Sequence, residues 1–224
     1  MIKATGIEKK FSQGEVETVV LRGVDLLVST GEFVAIMGRS GAGKSTLLYQ
    51  LGLLDEPTAG EIEIDGRKTS RLSDDQKSHL RLEALGFVFQ DYALLPELSA
   101  EENVMLPLLS QGLSTSAARA RAEASLGRLG LGHRLGNLPS QLSGGEQQRV
   151  SIARAIVHEP KILYADEPTA NLDSAAAALV IETFVKLHGE GQTIVMVTHE
   201  EEYTRAVDRV VRLEDGRVVS DKKR

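Results

Sequence analysis

Residues 38–46, GRSGAGKST, have the composition and spacing of a phosphate-binding loop. They match the pattern G-x-x-x-x-G-K-[ST] at its fixed positions, Gly38, Gly43, Lys44 and Ser45. Glycines let backbone N–H groups approach an anion closely, and a lysine adds positive charge beside the phosphates. A hydroxyl in the place of Ser45 is a ligand that Mg²⁺ accepts. The other residues expected to line this phosphate loop are Arg39, Ser40, Gly41, Ala42 and Thr46.

The segments on either side of the phosphate loop support this interpretation. Residues 33–37, FVAIM, form a short apolar run typical of a buried strand, and residues 45–54 have the length of a helix. A helix in this place directs its unsatisfied N–H groups and the positive end of its dipole at the same anion. The order of strand, loop and helix favours a binding site over a glycine-rich turn that contains a lysine by chance.

A second apolar strand, residues 161–165, ends in the acidic pair Asp166 and Glu167. A carboxylate at the carboxyl end of a parallel strand can hold Mg²⁺ through its water shell, which is the role we expect for Asp166. Glu167 follows directly and could polarise an attacking water. Alone this pattern is common in α/β proteins, but together with the phosphate loop it predicts nucleotide hydrolysis.

Residues 142–149, LSGGEQQR, predict a second anion site. Ser143, Gly144 and Gly145 stand where a helix begins, so a hydroxyl and backbone N–H groups converge there. A serine and two glycines before a helix usually form only a cap and a turn. Because the chain already has a complete phosphate loop, we expect this signature segment, residues 143–145, to close over the nucleotide of another copy.

The remaining pattern indicates elements that position these groups. Residues 1–32 are β-rich, residues 91–158 are helical, and strands return at 161–165 and 193–198 around a helix at 174–186. Alternating apolar strands and helices predict an α/β fold with a parallel sheet covered on both faces. We therefore expect one domain over residues 1–224. Its parts are 1–90 with the β subdomain and the first part of the core, the helical insertion 91–158, and the rest of the core at 159–224.

Composition narrows the possible partners. The chain has 224 residues, a net charge of −6 and a pI of about 5.5, which argues against a general nucleic-acid-binding surface. It contains no cysteine, so disulfides and thiol chemistry are excluded. No uncharged apolar run approaches the ~20 residues of a membrane span, and the first ten residues do not predict a signal peptide. We expect a soluble protein, or one held at a membrane by a partner.

With these motifs in this order, the whole chain resembles the ATP-binding subunit of an ABC transporter. The resemblance implies a P-loop NTPase with a RecA-like core, an antiparallel β subdomain and a helical subdomain. It also implies that Gln90 touches the metal and the attacking water, and that residues 143–145 contact the γ-phosphate in trans. Residues 171–173 would lie in the loop that crosses a dimer interface, and His199 would contact the γ-phosphate.

Some positions depart from the usual pattern of the family or leave two interpretations open. Phe11 stands where an aromatic, usually tyrosine, stacks on adenine. A phenylalanine ring can stack equally well, but this residue could instead belong to the core. Arg39 stands where proline is frequent, Ala170 where glycine is common, and Tyr164 among aliphatic residues. These departures concern the local geometry of the loops.

The sequence between the motifs, such as LLYQLGLLDEPTAGEI and ENVMLPLL, resembles the subfamily of lipoprotein-release and macrolide-export systems. That resemblance implies an ATPase that uses ATP and Mg²⁺, closes as a homodimer and drives a permease with a large extracytoplasmic domain. It would work at the cytoplasmic face of the membrane. Two alternatives remain: a cell-division type module that drives a permease-like partner without transport, and a soluble ABC ATPase acting on nucleic acid or ribosomes.

Overall fold

The computed structural model describes residues 1–14 and 16–224. Contacts within the chain form two compact units, Met1–Arg81 with Gly191–Arg224, and Leu82–Glu190. They are termed unit 1 and unit 2. The division at residues 90 and 158, which follows the change in composition, stays a prediction.

The described residues begin with three strands, contain three consecutive α-helices in the middle and end with three strands. The strands are β1 (Ile2–Gln13), β2 (Val16–Val28), β3 (Phe33–Met37), β4 (Ala59–Ile64), β5 (Arg67–Lys68), β6 (Leu85–Val88), β7 (Ile162–Asp166), β8 (Thr193–Val197), β9 (Arg209–Glu214) and β10 (Arg217–Lys223). The helices are α1 (Lys44–Leu51), α2 (Asp74–Ala84), α3 (Ala100–Ser110), α4 (Thr115–Arg128), α5 (Gly144–Ile156) and α6 (Ser174–Gly189).

An antiparallel sheet in unit 1 has the strand order β2-β1-β4-β5. Ile2 pairs with Val28 on one side and with Ile64 on the other, and all three side chains are buried. Strand β2 is continuous from Val16 to Val28 although Gly23 lies within it. The pairing skips Gly23, which has φ of 79°, so a bulge at this glycine lets the strand continue.

Unit 1 also contains four strands in the order β10-β9-β3-β8, with β3 parallel to both β8 and β9. Every residue of β3 and β8 is buried, which explains why both read as continuous apolar runs. An Asp215–Gly216 turn at positive φ joins β9 to β10. The carboxyl ends of β3 and β8 lead into the phosphate loop and His199.

Unit 2 pairs β6 with β7 in parallel and packs α3, α4 and α5 around one apolar cluster. The fully buried members of that cluster include Val104, Leu108, Leu126 and Val150. The helical character predicted from the alanine- and leucine-rich composition is confirmed over this region. The cluster holds the helix whose N-terminus carries the signature segment.

Helix α2 was not predicted from the sequence. A capping box begins the helix: Gln76 N–H donates to Ser73 Oγ at 3.3 Å, and Ser73 N–H donates to Gln76 Oε1 at 2.9 Å. The spacing S-x-x-Q was the available signal. The helix carries few apolar residues, so no periodicity revealed it.

Candidate nucleotide site

The phosphate loop follows β3 and ends at Gly43, the N-cap of α1. Gly43 has φ of 96° and makes no side-chain cap bond, and the first turn of α1 contains no acidic residue. A Cβ on Gly43 would lie 2.9 Å from the Leu21 side chain and 3.1 Å from Val20 O of β2. Both the dihedral angle and the packing therefore require glycine here, and no side-chain cap competes with a ligand for the N-terminus of α1.

The hairpin of β9 and β10 supports the other side of the loop. A Cβ on Gly38 would lie 2.2 Å from Leu213 O, so the loop leaves β3 in contact with the backbone of β9. Gly216 N–H donates to Ala42 O at 3.2 Å, and Arg22 N–H of β2 donates to Gly216 O at 2.9 Å. Backbone contacts with β2 and with the hairpin of β9 and β10 thus hold the loop in place.

Lys44 extends back over the phosphate loop. Its Nζ donates to Arg39 O at 3.2 Å, and the residue is 6% exposed. This position directs the ammonium group into the turn formed by the glycines. The loop therefore combines a fixed positive charge with a helix N-terminus, which fits a ligand carrying several phosphate oxygens.

The two other predicted residues of unit 1 are exposed. Phe11 is 48% exposed, so it does not belong to the core. The Nζ of Lys9 lies 5.0 Å from the centre of its ring. His199 follows the buried Thr198, whose Oγ1 accepts a hydrogen bond from Glu200 N–H at 3.1 Å. Both side chains are accessible to a ligand.

In unit 2 the acidic pair stands at the end of β7. Asp166 is 5% exposed, and Glu167 is half-buried with φ of 42°. Left-handed backbone is costly for a residue with a side chain and is often found at functional positions. Ala170 N–H donates to Glu167 O at 3.2 Å and closes the turn that holds this conformation.

Ser143 is the N-cap of α5 and takes part in a complete capping box. Its Oγ accepts from Glu146 N–H at 3.3 Å, and the Glu146 carboxylate accepts from Ser143 N–H at 2.8 Å. That backbone hydrogen bond is the main cause that lowers the pKa of Glu146, and Arg134, 2.9 Å away, lowers it further. Ser143 is exposed, and its hydroxyl proton is not used by the box.

The structure brings several predicted segments of unit 2 together. Asn171 Nδ2 donates to Gln90 O at 3.0 Å, which joins residues 171–173 to the segment after β6. A Cβ on Gly144 would lie 2.9 Å from Tyr92 Oη and 3.3 Å from the Leu172 side chain. The signature segment, the segment around Gln90 and residues 171–173 therefore form one cluster.

Sequence reasoning missed the residues that hold this cluster. Arg154 of α5 donates to the backbone oxygens of Tyr92 and Ala93, and Asn103 of α3 bonds both backbone groups of Leu95. Their partners lie far away in sequence or in an irregular segment, so no local pattern reveals them. A polar residue at the otherwise apolar face of α3 was the only signal for Asn103.

Two general features complete the description. Within residues 1–14 and 16–224, no cluster of three or more His, Asp or Glu side chains is arranged to hold a metal by itself. Mg²⁺ is commonly bound by one or two protein groups together with substrate phosphates, so it does not require such a cluster. None of the described helices combines the length and the hydrophobicity that crossing a bilayer requires.

Comparison with known proteins agrees with this geometry. The family model described as ABC transporter matches residues 21–170, more than half of the chain. The chain belongs to the ABC transporter family. The fold class predicted from the sequence is confirmed by a dimeric structure of the ATP-binding cassette MJ0796, which has 44% sequence identity and a TM-score of 0.93. That match covers 100% of this chain and 98% of the other.

A second structure of the same cassette, in a post-hydrolysis state bound to ADP and Pi, has 42% identity over 100% of this chain and 98% of that chain, with a TM-score of 0.93. The ABC cassette is thus a nucleotide-binding ATPase module, and the enzyme class predicted from the sequence is confirmed at the level of the family.

Two curated relatives define the subfamily. The lipoprotein-releasing system ATP-binding protein LolD of Geobacter metallireducens is 48% identical over 99% of both chains. The macrolide export ATP-binding/permease protein MacB 1 of Aeromonas hydrophila is 50% identical over 100% of this chain but 35% of its own length. The chain thus spans about a third of the macrolide-export relative. It is an ABC cassette of the MacB and LolD type.

Proposed function

We propose that this ABC cassette binds and hydrolyses ATP to power a separate membrane permease of the lipoprotein-release or macrolide-export type. The observation that carries the proposal is the open N-terminus of α1, with Lys44 turned back over the phosphate loop. A polyphosphate is the ligand that such a helix end binds well. The similarity to LolD over nearly its full length supports the role of a separate ATP-binding subunit.

In this proposal Lys44 and the N–H groups of residues 38–46 bind the phosphates, and Phe11 stacks on adenine. Ser45, Asp166 and Gln90 would hold Mg²⁺, which supplies charge neutralisation at the phosphates. The exposure of the Phe11 ring supports its assignment, since a core ring could not stack on a ligand.

Glu167 is the proposed general base. It would take a proton from the attacking water, while Gln90 orients that water and His199 contacts the γ-phosphate. The left-handed backbone at Glu167 supports this role, because such a conformation is retained at functional positions in spite of its cost.

The complete site requires two copies of the chain. Ser143, Gly144 and Gly145 of one copy would contact the γ-phosphate held by the phosphate loop of the other. The exposed Ser143 hydroxyl supports this assignment, as do the dimeric cassettes among the similar structures. ATP would favour the closed homodimer, and hydrolysis would weaken the γ-phosphate contacts and restore the open state.

The partner would be an integral-membrane permease with an extracytoplasmic domain, and the cassette would act at the cytoplasmic face of the membrane. The name of the MacB relative, an ATP-binding/permease protein, supports a permease partner. When the chain is produced with such a permease, it is expected to co-purify from detergent-solubilised membranes. Its recovery only from the soluble fraction, with the permease intact, would contradict this part of the proposal.

Mixing two inactive variants tests the shared site. Lys44→Ala and Ser143→Arg each yield dimers with two defective sites, whereas their heterodimer combines one doubly defective site with one intact site. Random pairing therefore restores at most about a quarter of the wild-type ATPase rate. If Ser143 served the nucleotide of its own chain, the mixture would remain inactive.

A second mixture controls for strict cooperativity, in which one intact site could not turn over. Wild type is mixed with a chain that carries both substitutions. The trans arrangement leaves both sites of that heterodimer defective, so only wild-type homodimers contribute. Activity above that contribution, together with an inactive first mixture, would refute the trans arrangement.

A further inference from the structure

The segment after β6, residues 89–95, contains Gln90 and is termed the Gln90 loop. It belongs to neither a helix nor a strand. Tyr92 and Ala93, two consecutive residues within it, have φ of 64° and 48°. Left-handed backbone at two adjacent side-chain-bearing residues is costly, so interactions must maintain it. Within the loop, Tyr92 N–H donates to Phe89 O at 3.2 Å, and Ala93 N–H donates to Asp91 O at 2.7 Å.

Arg154 forms hydrogen bonds with the same two residues from outside the loop. Its Nη1 donates to Ala93 O at 2.6 Å and its Nη2 donates to Tyr92 O at 3.0 Å. The planar guanidinium group is suited to two adjacent acceptors because its N–H groups are fixed in a fork. Burial lowers the pKa of Arg154, and the charge of Asp91 opposes that effect.

The two ends of the Gln90 loop are also held by side chains. Asn171 Nδ2 donates to Gln90 O at 3.0 Å, and Tyr92 Oη donates to Asn171 O at 3.4 Å. At the far end, Asn103 accepts from Leu95 N–H at 2.8 Å and donates to Leu95 O at 3.1 Å. Arg154 is the residue among these that lies on α5 and bonds the left-handed turn.

We infer that Arg154 is a positioning residue that sets the place of Gln90 by holding the backbone two and three residues further along. Because Arg154 and the signature segment belong to the same helix, a shift of α5 also shifts the Gln90 loop. The closing of the signature segment over a nucleotide and the placement of Gln90 are therefore one movement. This inference rests on the proposed role of Gln90 at the metal and the attacking water.

Hydrogen exchange and steady-state kinetics on the full chain test the inference. In Arg154→Met, exchange of the backbone amides of residues 90–95 is expected to rise. The kcat for ATP is expected to fall by about ten- to a hundredfold, the usual cost of misplacing a catalytic group, while KM stays within about twofold. Arg154→Lys keeps the charge but not the fork, so it should recover part of kcat.

Arg121→Met is the matched control. Arg121 Nη2 donates to Val157 O at 2.8 Å, so it also bonds a backbone oxygen, but one just after the C-terminal end of α5. Its loss is expected to leave both the exchange of residues 90–95 and kcat unchanged. A purely structural role of Arg154 would lower the melting temperature as Arg121→Met does, without a selective loss of kcat.

Gln90→Ala separates failure of the inference from failure of the proposed function. If Arg154→Met leaves exchange in the loop unchanged, the positioning role is overturned whatever Gln90 does. If exchange rises and kcat holds while Gln90→Ala lowers kcat, the role is overturned as well. If Gln90→Ala itself leaves kcat unchanged, the proposed function of Gln90 fails and the inference fails with it.

Discussion

Helices α1 and α5 both begin at glycine-rich segments, but the side chains around their N-termini differ. The N-cap of α1 is a glycine without a side-chain cap bond, and its first turn has no acidic residue. The N-cap of α5 is Ser143 in a capping box, and Glu146 places a carboxylate in the first turn. One end is left for a ligand, whereas the other is already satisfied by residues of the chain.

The difference suggests how two anion sites can have different strengths in one protein. A helix N-terminus without a side-chain cap and with a lysine beside it gains the most stabilisation from a bound polyphosphate. An N-terminus that already donates a hydrogen bond to a carboxylate gains less stabilisation from a further anion. It therefore suits a contact that forms only when a partner brings the nucleotide. The predictions below test this comparison, from the largest expected effect to the smallest.

Glu167→Gln should separate binding at α1 from chemistry in unit 2. Turnover is expected to fall by about two to four orders of magnitude, because the substitution keeps the size of the side chain and removes the base. ATP binding should persist, and the variant should accumulate as an ATP-bound dimer on a sizing column. Glu182→Gln, at an exposed site of α6, is the control. Hydrolysis within a few-fold of wild type would assign the base to another group.

Lys44→Ala should weaken binding at the α1 end directly. The loss of a charge-assisted hydrogen bond predicts an affinity about ten- to a hundredfold lower, with the fold intact. Titration with a fluorescent ATP analogue measures the affinity, and a thermal melt checks the fold. Lys68→Ala, at an exposed position of β5, should bind like wild type. Unchanged affinity in Lys44→Ala would remove this lysine from the site.

Ser143→Ala and Ser114→Ala compare two serine caps of the same geometry. Each Oγ accepts an N–H from three residues ahead at 3.3 Å, so each substitution should lower the free energy of unfolding by about 1 kcal/mol. Urea unfolding measures this loss. Steady-state ATPase assays should show reduced turnover for Ser143→Ala alone. An equal reduction in both would mean that Ser143 acts only as a cap.

The carboxylate of Glu146 should make the α5 end sensitive to acid. Its pKa is lowered in the folded chain, so its contribution is complete above the unfolded value of about 4.3 and disappears as pH falls through the folded pKa. At pH 7, Glu146→Gln should lower the free energy of unfolding by about 0.3–1 kcal/mol, the usual worth of such a charge. Urea unfolding at a series of pH values below 7 should show the difference between variant and wild type shrinking as the pH falls. A difference that does not change with pH would point to packing instead.

The elements around the phosphate loop of unit 1 could be predicted because their signals are local. The phosphate loop combines a fixed spacing with an apolar strand before it and a helix after it, and the structure has these elements in that order. The helix is shorter than predicted, since α1 ends at Leu51 and Gly52 caps it. The apolar residues that suggested a longer helix continue beyond Gly52, where the helical backbone ends.

The supports of the Gln90 loop could not be predicted, because they join distant residues. Arg154 lies more than sixty positions from the oxygens that it bonds, and its own helix offers no sign of that contact. The bulge at Gly23 is a different case, since a glycine within a strand pattern often marks a bulge but does not show that the strand continues past it. In both cases the structure supplies partners that the local sequence does not show.

Glu167 places two kinds of selection in conflict. With φ of 42°, this position would be less strained with glycine or asparagine, which adopt left-handed backbone more readily. A library selected only for resistance to heat should therefore enrich those two residues at position 167. A library selected for ATP turnover should keep glutamate there, so the residue recovered at this one position reports which property was selected.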